Sequence, residues 1–168
     1  MVCFRETLVT SGAAHTLLTE YFTSRELSFP EAQGRYRPVY PSAEAFTPPR
    51  GVFLVVEGPG PDGEAADVGC GGIRRLETAE GDHAHTDLVR FEVKHLWLEP
   101  HTRGHGYGRA LLQELERRAR GFGARELVLD TNDSLTAAGG LYRSSGFVTI
   151  APYNDNPNAT TWYAKTLD

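Results

Sequence analysis

Arg103-Gly104-His105-Gly106-Tyr107-Gly108 joins two segments of different periodicity. Before it runs Phe91-Glu92-Val93-Lys94-His95-Leu96-Trp97-Leu98, apolar and strand-like, closed by Pro100. After it, Arg109-Ala110-Leu111-Leu112-Gln113-Glu114-Leu115 opens a helical pattern that puts Leu111, Leu112, Leu115, Ala119 and Phe122 on one side. Three alternating glycines where a strand turns into a helix let the backbone come very close to a ligand. The N–H groups of the first helical turn then point at whatever anion sits there. This spacing suits the cradling of a pyrophosphate.

Working outward, the spacing predicts a strand within residues 2–9 and a helix from Ala13 to Glu26, with Ser11 as its capping candidate. Residues 28–50 are broken by Pro30, Gly34, Pro38, Pro41, Pro48 and Pro49, leaving room for a helical turn over Ser42–Phe46. Gly51–Glu57 reads as a buried strand and Ala66–Leu76 as its hairpin partner, joined by the Gly58–Gly63 turn cluster. Gly81–Thr86 reads as a loop, and Leu88–Leu98 as the next strand. Beyond the glycine turn come a helix stopped by Gly121 and Gly123, a short strand Glu126–Asp130, and a helix Ser134–Ser145 stopped by Gly146. Strands Phe147–Ile150 and Thr161–Leu167 close the chain around a loop, Pro152–Ala159. The order β-α-β-β-β-α-β-α-β-β is that of a mixed α/β fold, and with neither repeat nor linker it predicts one domain over residues 1–168.

Bulk composition narrows the function classes. The chain has 168 residues, 40% hydrophobic and 23% charged, with a net charge of -5. That balance argues against a nucleic-acid binder working by phosphate neutralisation. Cys3 and Cys70 make no disulfide framework, and no run reaches the roughly 18 apolar residues of a membrane span. The opening residues lack a basic segment followed by an apolar one, so the expectation is a cytoplasmic protein with no membrane partner.

Other phosphate-binding turns fit poorly. A Walker A loop ends in Gly-Lys-Ser/Thr, which the chain lacks. A dinucleotide turn would take Asp130 as its distal acid, but the third glycine falls at 108, and Arg109 stands where that fingerprint needs glycine. The stretch instead resembles the acyl-CoA-binding signature R/Q-x-x-G-x-G/A of the GNAT N-acetyltransferase superfamily, with Arg103, Gly106 and Gly108 in its three fixed positions. Downstream, Ala138-Gly139-Gly140-Leu141-Tyr142-Arg143-Ser144-Ser145-Gly146-Phe147 resembles that family's A-x-x-L-Y-x-x-x-G-F helix and turn. One helix and one strand separate the two signatures, as in the family.

The resemblance implies a central, mostly antiparallel sheet flanked by helices, and acetyl-CoA as cosubstrate without a metal. It implies that the main chain of Arg103, Gly104, His105, Gly106, Tyr107, Gly108 and Arg109 holds the pyrophosphate. Main-chain groups of Leu96 and Leu98, on a strand splayed by a bulge, would meet the acyl carbonyl and pantetheine. Counting back from Arg103 puts Glu92 at the position of the family's base, acting directly or through water. Tyr142 takes the place of the tyrosine that protonates the departing thiolate. Many members carry an asparagine where Leu135 stands here, and Asn132, one turn earlier, is its candidate substitute. Alternation would put Glu92, Lys94, Leu96 and Leu98 on one strand face and His95 on the other.

The acceptor would be shaped by Phe29, Arg35, Tyr36, Arg37 and Tyr40 and by the loop Tyr153–Asn158. Two arginines among tyrosines suit a carboxylate-bearing amine such as an amino acid. The expected activity is acetyl transfer to a small-molecule primary amine by direct attack in a ternary complex. The alternative is a non-catalytic acyl-CoA-binding sensor or regulatory module. A homodimer is compatible with both. His101 and His105 read as surface residues, and Asp82-His83-Ala84-His85 with Asp87 has metal-like spacing but no evident further ligands, which favours a solvated loop.

Overall fold

The computed structural model describes residues 1–77 and 88–168, and ten α-helices and β-strands are placed among these described residues. They are β1 (Cys3–Glu6), α1 (Gly12–Ser28), β2 (Gly51–Pro59), β3 (Ala65–Arg75), β4 (Arg90–Leu98), α2 (Tyr107–Gly121), β5 (Glu126–Thr131), α3 (Thr136–Ser144), β6 (Val148–Ile150) and β7 (Thr161–Thr166). The strands form one sheet in the order β1-β2-β3-β4-β5-β7-β6. Every pairing is antiparallel except β4 with β5. Asp82, His83, His85 and Asp87 lie outside the described residues, so the metal-like spacing there is not addressed by the fold.

Two apolar layers hold the helices to the sheet. The α2 face of Leu111, Leu112, Leu115 and Ala119 packs on Val52, Leu54, Val56, Phe91 and Leu127. On the other face, Leu17, Leu18 and Phe22 of α1 pack on Phe53, Val55 and Trp97. Strand β2 is buried from Gly51 to Val56, which explains why its sequence shows no alternation. Ser11 caps α1 by accepting a hydrogen bond from the Ala14 amide at 3.1 Å. Ser42–Phe46 forms a single helical turn, closed by the Phe46 amide donating to the Ser42 carbonyl at 3.3 Å, with Ser42 Oγ accepting from the Ala45 amide at 3.2 Å.

Strand β4 departs from alternation at one point, and that point shapes the site. Cys70 pairs with Trp97 and Gly72 with Lys94, so His95 and Leu96 together oppose Gly71. His95 takes the extra position of this bulge in a left-handed conformation, φ 57°. The bulge reverses side-chain parity. Phe91 and Val93 face α2 before it, Leu96 and Leu98 face α2 after it, and Trp97 faces α1. The expected common face for Glu92, Lys94, Leu96 and Leu98 is therefore corrected. Glu92 and Lys94 share the α1 side with His95, which alternation had placed opposite them. Beyond the bulge β4 also loses β5, since the two pair only at Arg90, Phe91 and Glu92 with Glu126, Leu127 and Val128.

Leu111 is fully buried and is the contact a side chain on Gly71 would meet. Leu111→Ala is expected to cost about 2–5 kcal/mol in urea denaturation. A loss below about 1 kcal/mol would show that α2 is not anchored through this residue.

Candidate active site

The turn between β4 and α2 is built for main-chain contacts. Gly104 and Gly106 both have φ +82°, which side chains rarely adopt, and open space lies where their Cβ atoms would stand. Gly106 is the N-cap of α2, with no side-chain cap. The first returning hydrogen bond runs from the Ala110 amide to the Gly106 carbonyl at 3.0 Å, so the amides of Tyr107, Gly108 and Arg109 precede the helical ladder. Gly108 serves packing: a Cβ there would lie 3.3 Å from Leu141 Cδ2 and 3.6 Å from Leu98 Cδ1.

Side chains around the turn are occupied with the protein itself. Arg103 donates from Nε to the Leu98 carbonyl at 3.1 Å and lies 4.8 Å over the Trp97 ring. Arg109 reaches the Ser144 carbonyl and Oγ at 3.2 and 2.9 Å, tying α2 to the end of α3. His105 Nδ1 lies 3.2 and 3.1 Å from the Thr102 and Arg103 carbonyls. What remains for an anion is the backbone, and that fits a pyrophosphate.

Where β4 and β5 part, a cavity of about 550 Å³ opens between them. Leu96, Leu135 and Tyr142 line it on the α3 side. Tyr21, Phe22 and Arg25 of α1, with Phe29, Tyr36 and Tyr40 after it, line the opposite side. Lys94, His95 and Asp130 stand between. Of the expected acceptor arginines, Arg35 and Arg37 are both exposed and neither lines the cavity. The cations that do are Arg25 and Arg74, with Lys94. The sequence reading did not single out Arg25, although its spacing of three from Phe22 and four from Tyr21 places it on the same helix face.

Glu92 lies behind that wall. It is 0% exposed and does not line the cavity. Its Oε1 accepts from Arg74 at 2.9 and 2.8 Å, its Oε2 accepts from the Tyr153 hydroxyl at 2.6 Å, and Lys94 Nζ stands 3.5 Å away. Direct contact with an acceptor nitrogen, one of the two routes expected for Glu92, is closed in this arrangement. Lys94 donates to Asp130 Oδ1 at 2.9 Å, Asn154 to Asp130 Oδ2 at 2.7 Å, and Trp162 to Asn154 at 2.9 Å. Burial pushes the Asp130 carboxyl up, but the Lys94 charge and the Asn154 and Lys94 hydrogen bonds outweigh it and hold it below the ordinary aspartate value. Burial and the Glu92 charge push the Tyr153 phenol far up.

Asn132 is also committed within the protein. Its Nδ2 donates to Gln33 Oε1 at 2.6 Å and to the Asn158 carbonyl at 3.2 Å, while its Oδ1 accepts from the Ser134 amide. Asn158 in turn binds the Arg37 main chain through both ends of its amide, at 2.9 and 2.7 Å. Asn132 thus joins the two loops that cover the cavity, a role different from the cofactor contact expected of it. The Tyr142 ring packs against Phe147 and Tyr163, and burial pushes its phenol up to about 12, with the Arg25 charge the first influence opposing it.

A splayed parallel strand pair, an uncapped glycine turn and a buried tyrosine at the gap define an acyl-CoA-binding N-acyltransferase fold. The chain belongs to the GNAT acetyltransferase family, whose model matches residues 14–147. An uncharacterised N-acetyltransferase of Schizosaccharomyces pombe is 31% identical over 120 residues, covering 71% of this chain and 66% of that one. The matches span 32% to 66% of the length of the curated relatives. A Klebsiella pneumoniae protein assigned as an acyl-CoA N-acyltransferase superposes with TM-score 0.71 at 26% identity, covering 100% of this chain and 99% of that one. A GNAT family acetyltransferase from Elizabethkingia anophelis, with acetyl-CoA bound, shares the fold at TM-score 0.61 and 16% identity, covering 99% and 98%.

His95 carries a measurable signature. Its ring packs against Tyr21, Phe22 and Phe46, and its Nδ1 is buried with no partner among the described residues. Burial, then the Lys94 and Arg74 charges, push the imidazole down to about 3. An unfolded histidine titrates near 6.5, so below that pH the unfolded chain takes a proton that the folded one refuses. The stability contribution is whole above about pH 6.5 and falls with pH, by about 2 kcal/mol at pH 5. His95→Phe is expected to reduce the stability lost between pH 7 and pH 5 by that amount in urea titrations. Equal losses in both proteins would show that the folded imidazole takes up the proton.

Proposed function

We propose that the protein transfers an acetyl group from acetyl-CoA to the primary amine of a small molecule. The observation that carries this reading is the gap between β4 and β5, with the glycine turn and Tyr142 on one side and an aromatic cavity on the other. Arg103 to Arg109 would hold the pyrophosphate by main chain, and the unpaired β5-side edge of β4 at Leu96 and Leu98 would meet the pantetheine and acyl carbonyl. Bound there, acetyl-CoA would supply an activated acyl carbon: the acceptor's ammonium form gives one proton to solvent, and as the free amine forms the C–N bond and the C–S bond breaks, one further nitrogen proton is lost and one proton ends on the thiolate.

Tyr142 is the residue assigned to protonate the thiolate. Its buried phenol stays neutral at working pH and keeps a proton to give, which the amine nitrogen then replaces. Glu92 is assigned a positioning role, fixing Arg74, Lys94 and the Tyr153 loop against the cavity. Direct attack in a ternary complex, without an acyl-enzyme, is supported by the cysteines. Cys70 is buried away from the cavity, donates to the His95 carbonyl at 3.4 Å, and has its thiol pushed far up by burial; Cys3 is exposed on the edge strand β1. These unpaired thiols support a cytoplasmic setting. The short edge strand β6, with Val148 exposed, supports pairing into a homodimer.

Release of CoA thiol from acetyl-CoA against a panel of small amines tests the reading. Tyr142→Phe keeps the ring and is expected to lower kcat about 10²-fold with CoA affinity unchanged. Full activity in that variant removes the acid role. Glu92→Gln is expected to lower turnover with CoA binding intact and the acid limb of the kcat profile retained. Loss of that limb would restore Glu92 as the base. CoA binding without turnover of any acceptor would favour the sensor reading.

A further inference from the structure

Three cations reach the cavity, and two of them are neutralised. Arg74 is bound to Glu92 at 2.8 Å and Lys94 to Asp130 at 2.9 Å. Arg25 pairs with no carboxylate among the described residues, and its guanidinium instead lies 5.2 Å over the Tyr21 ring. A cation in the last turn of a helix needs no ligand to justify it, because the helix dipole favours it there. A cation held on an aromatic face inside a cavity is a different matter. Stacking fixes the plane of the guanidinium and leaves its outer donors free, the geometry that suits a bidentate carboxylate.

The surrounding wall is aromatic. Phe22 and Tyr40 stand 4.7 Å apart by ring centroid, Phe29 and Tyr36 5.7 Å apart, and all four line the cavity with Tyr21. Such a wall accepts an apolar or planar body between the cation and the gap in the sheet. The Arg25 charge opposes the upward push on the phenols of both Tyr36 and Tyr142. Arg25 and the group assigned to the thiolate line the same cavity of about 550 Å³.

We propose that Arg25 is the specificity-determining residue of this site, binding the carboxylate of an acceptor whose body is aromatic and whose amine points to the gap between β4 and β5. An aromatic α-amino acid has this chemistry. The proposal rests on the acetyl-transfer reading for the orientation of the amine. Acceptors bearing extra cations are selected against, since Asp130, the acidic side chain on the wall, is already neutralised by Lys94.

The test is calorimetric binding of L-phenylalanine and phenethylamine to the CoA-loaded protein, with acetylation of both measured in parallel. The expected result is at least a 10-fold preference for phenylalanine. Arg25→Met should abolish that preference without weakening phenethylamine or changing the acetyl-CoA KM, and Arg25→Lys should restore part of it. Equal binding, a preference for phenethylamine, binding of neither probe, or a preference that survives in a folded Arg25→Met overturns the proposal. A preference for phenylalanine in binding with acetylation of neither leaves carboxylate selection standing and removes acetyl transfer. Acetylation of both with equal kcat/KM does the reverse.

Discussion

Three residue pairs of parallel ladder, Arg90 to Glu92 against Glu126 to Val128, form the strand pairing between the two halves of the sheet. Past them, β4 turns at the His95 bulge and stays with β3, while β5 stays with β7. A sheet interior that opens in this way exposes peptide groups that would otherwise pair, and such groups are costly to leave unsatisfied. The break is stable because both flanks are anchored, by α2 below and by α1 above. The same break is where the cavity, the unpaired strand edge and Tyr142 come together.

The second support is electrostatic. Glu92 is fully buried, and burying a carboxylate is expensive unless each oxygen is met. Here Arg74 meets one oxygen and Tyr153 the other, so the carboxylate pulls the loop between β6 and β7 down onto the sheet. Asp130 does the same through Asn154, which Trp162 holds in turn. Asn132 with Gln33 and Asn158 with Arg37 then join this loop to the one after α1. The cavity roof is thus assembled by polar contacts, while its walls are apolar. Removing one partner of Glu92 would leave charge unpaired in the interior and loosen the roof, which is how a residue outside the cavity influences what happens inside it.

The sequence carried the element order and the cofactor turn because both depend on short-range signals. Gly104 and Gly106 are needed for their left-handed backbone, and the apolar stripe of α2 is visible at its own period. The resemblance implied a bulge at Leu96 and Leu98, but its effect on side-chain parity was hidden because nothing in Lys94-His95-Leu96 marks the extra position: none of these is a glycine, and alternation simply continues through them. With parity unknown beyond Val93, His95 was assigned to the wrong face and Glu92 to the company of Leu96 and Leu98. Arg35 and Arg37 drew attention as a pair in an irregular segment, yet the segment's hydrogen bonds to Asn158 use the Arg37 main chain and leave both guanidinium groups outside the cavity. Arg25, on a regular helix, showed nothing unusual. The pairing of Glu92 with Tyr153, 61 residues apart in sequence, had no local signature at all.

A gap that opens to both faces also constrains the order of events. The glycine turn and Tyr142 lie with α2 and α3, whereas Arg25 and the aromatic wall belong to α1 and the loop after it. On the proposed reading, a donor and an acceptor entering from opposite sides would meet at the gap without either displacing the other, and holding both there would replace the entropy of a bimolecular encounter. A covalent relay would need a nucleophile on the wall, and the Cys70 thiol is instead buried against the His95 carbonyl. His95 itself, kept neutral by its aromatic surroundings, adds no positive charge beside the acceptor nitrogen. An ammonium arriving there would meet Lys94 already paired with Asp130, which leaves Arg25 as the wall's positive field without a carboxylate partner among the described residues. That field repels a bare cation and is cancelled by a carboxylate on the same molecule. Carboxylate recognition at Arg25 would therefore do more than orient the acceptor: it would remove the charge that otherwise opposes the acceptor's entry.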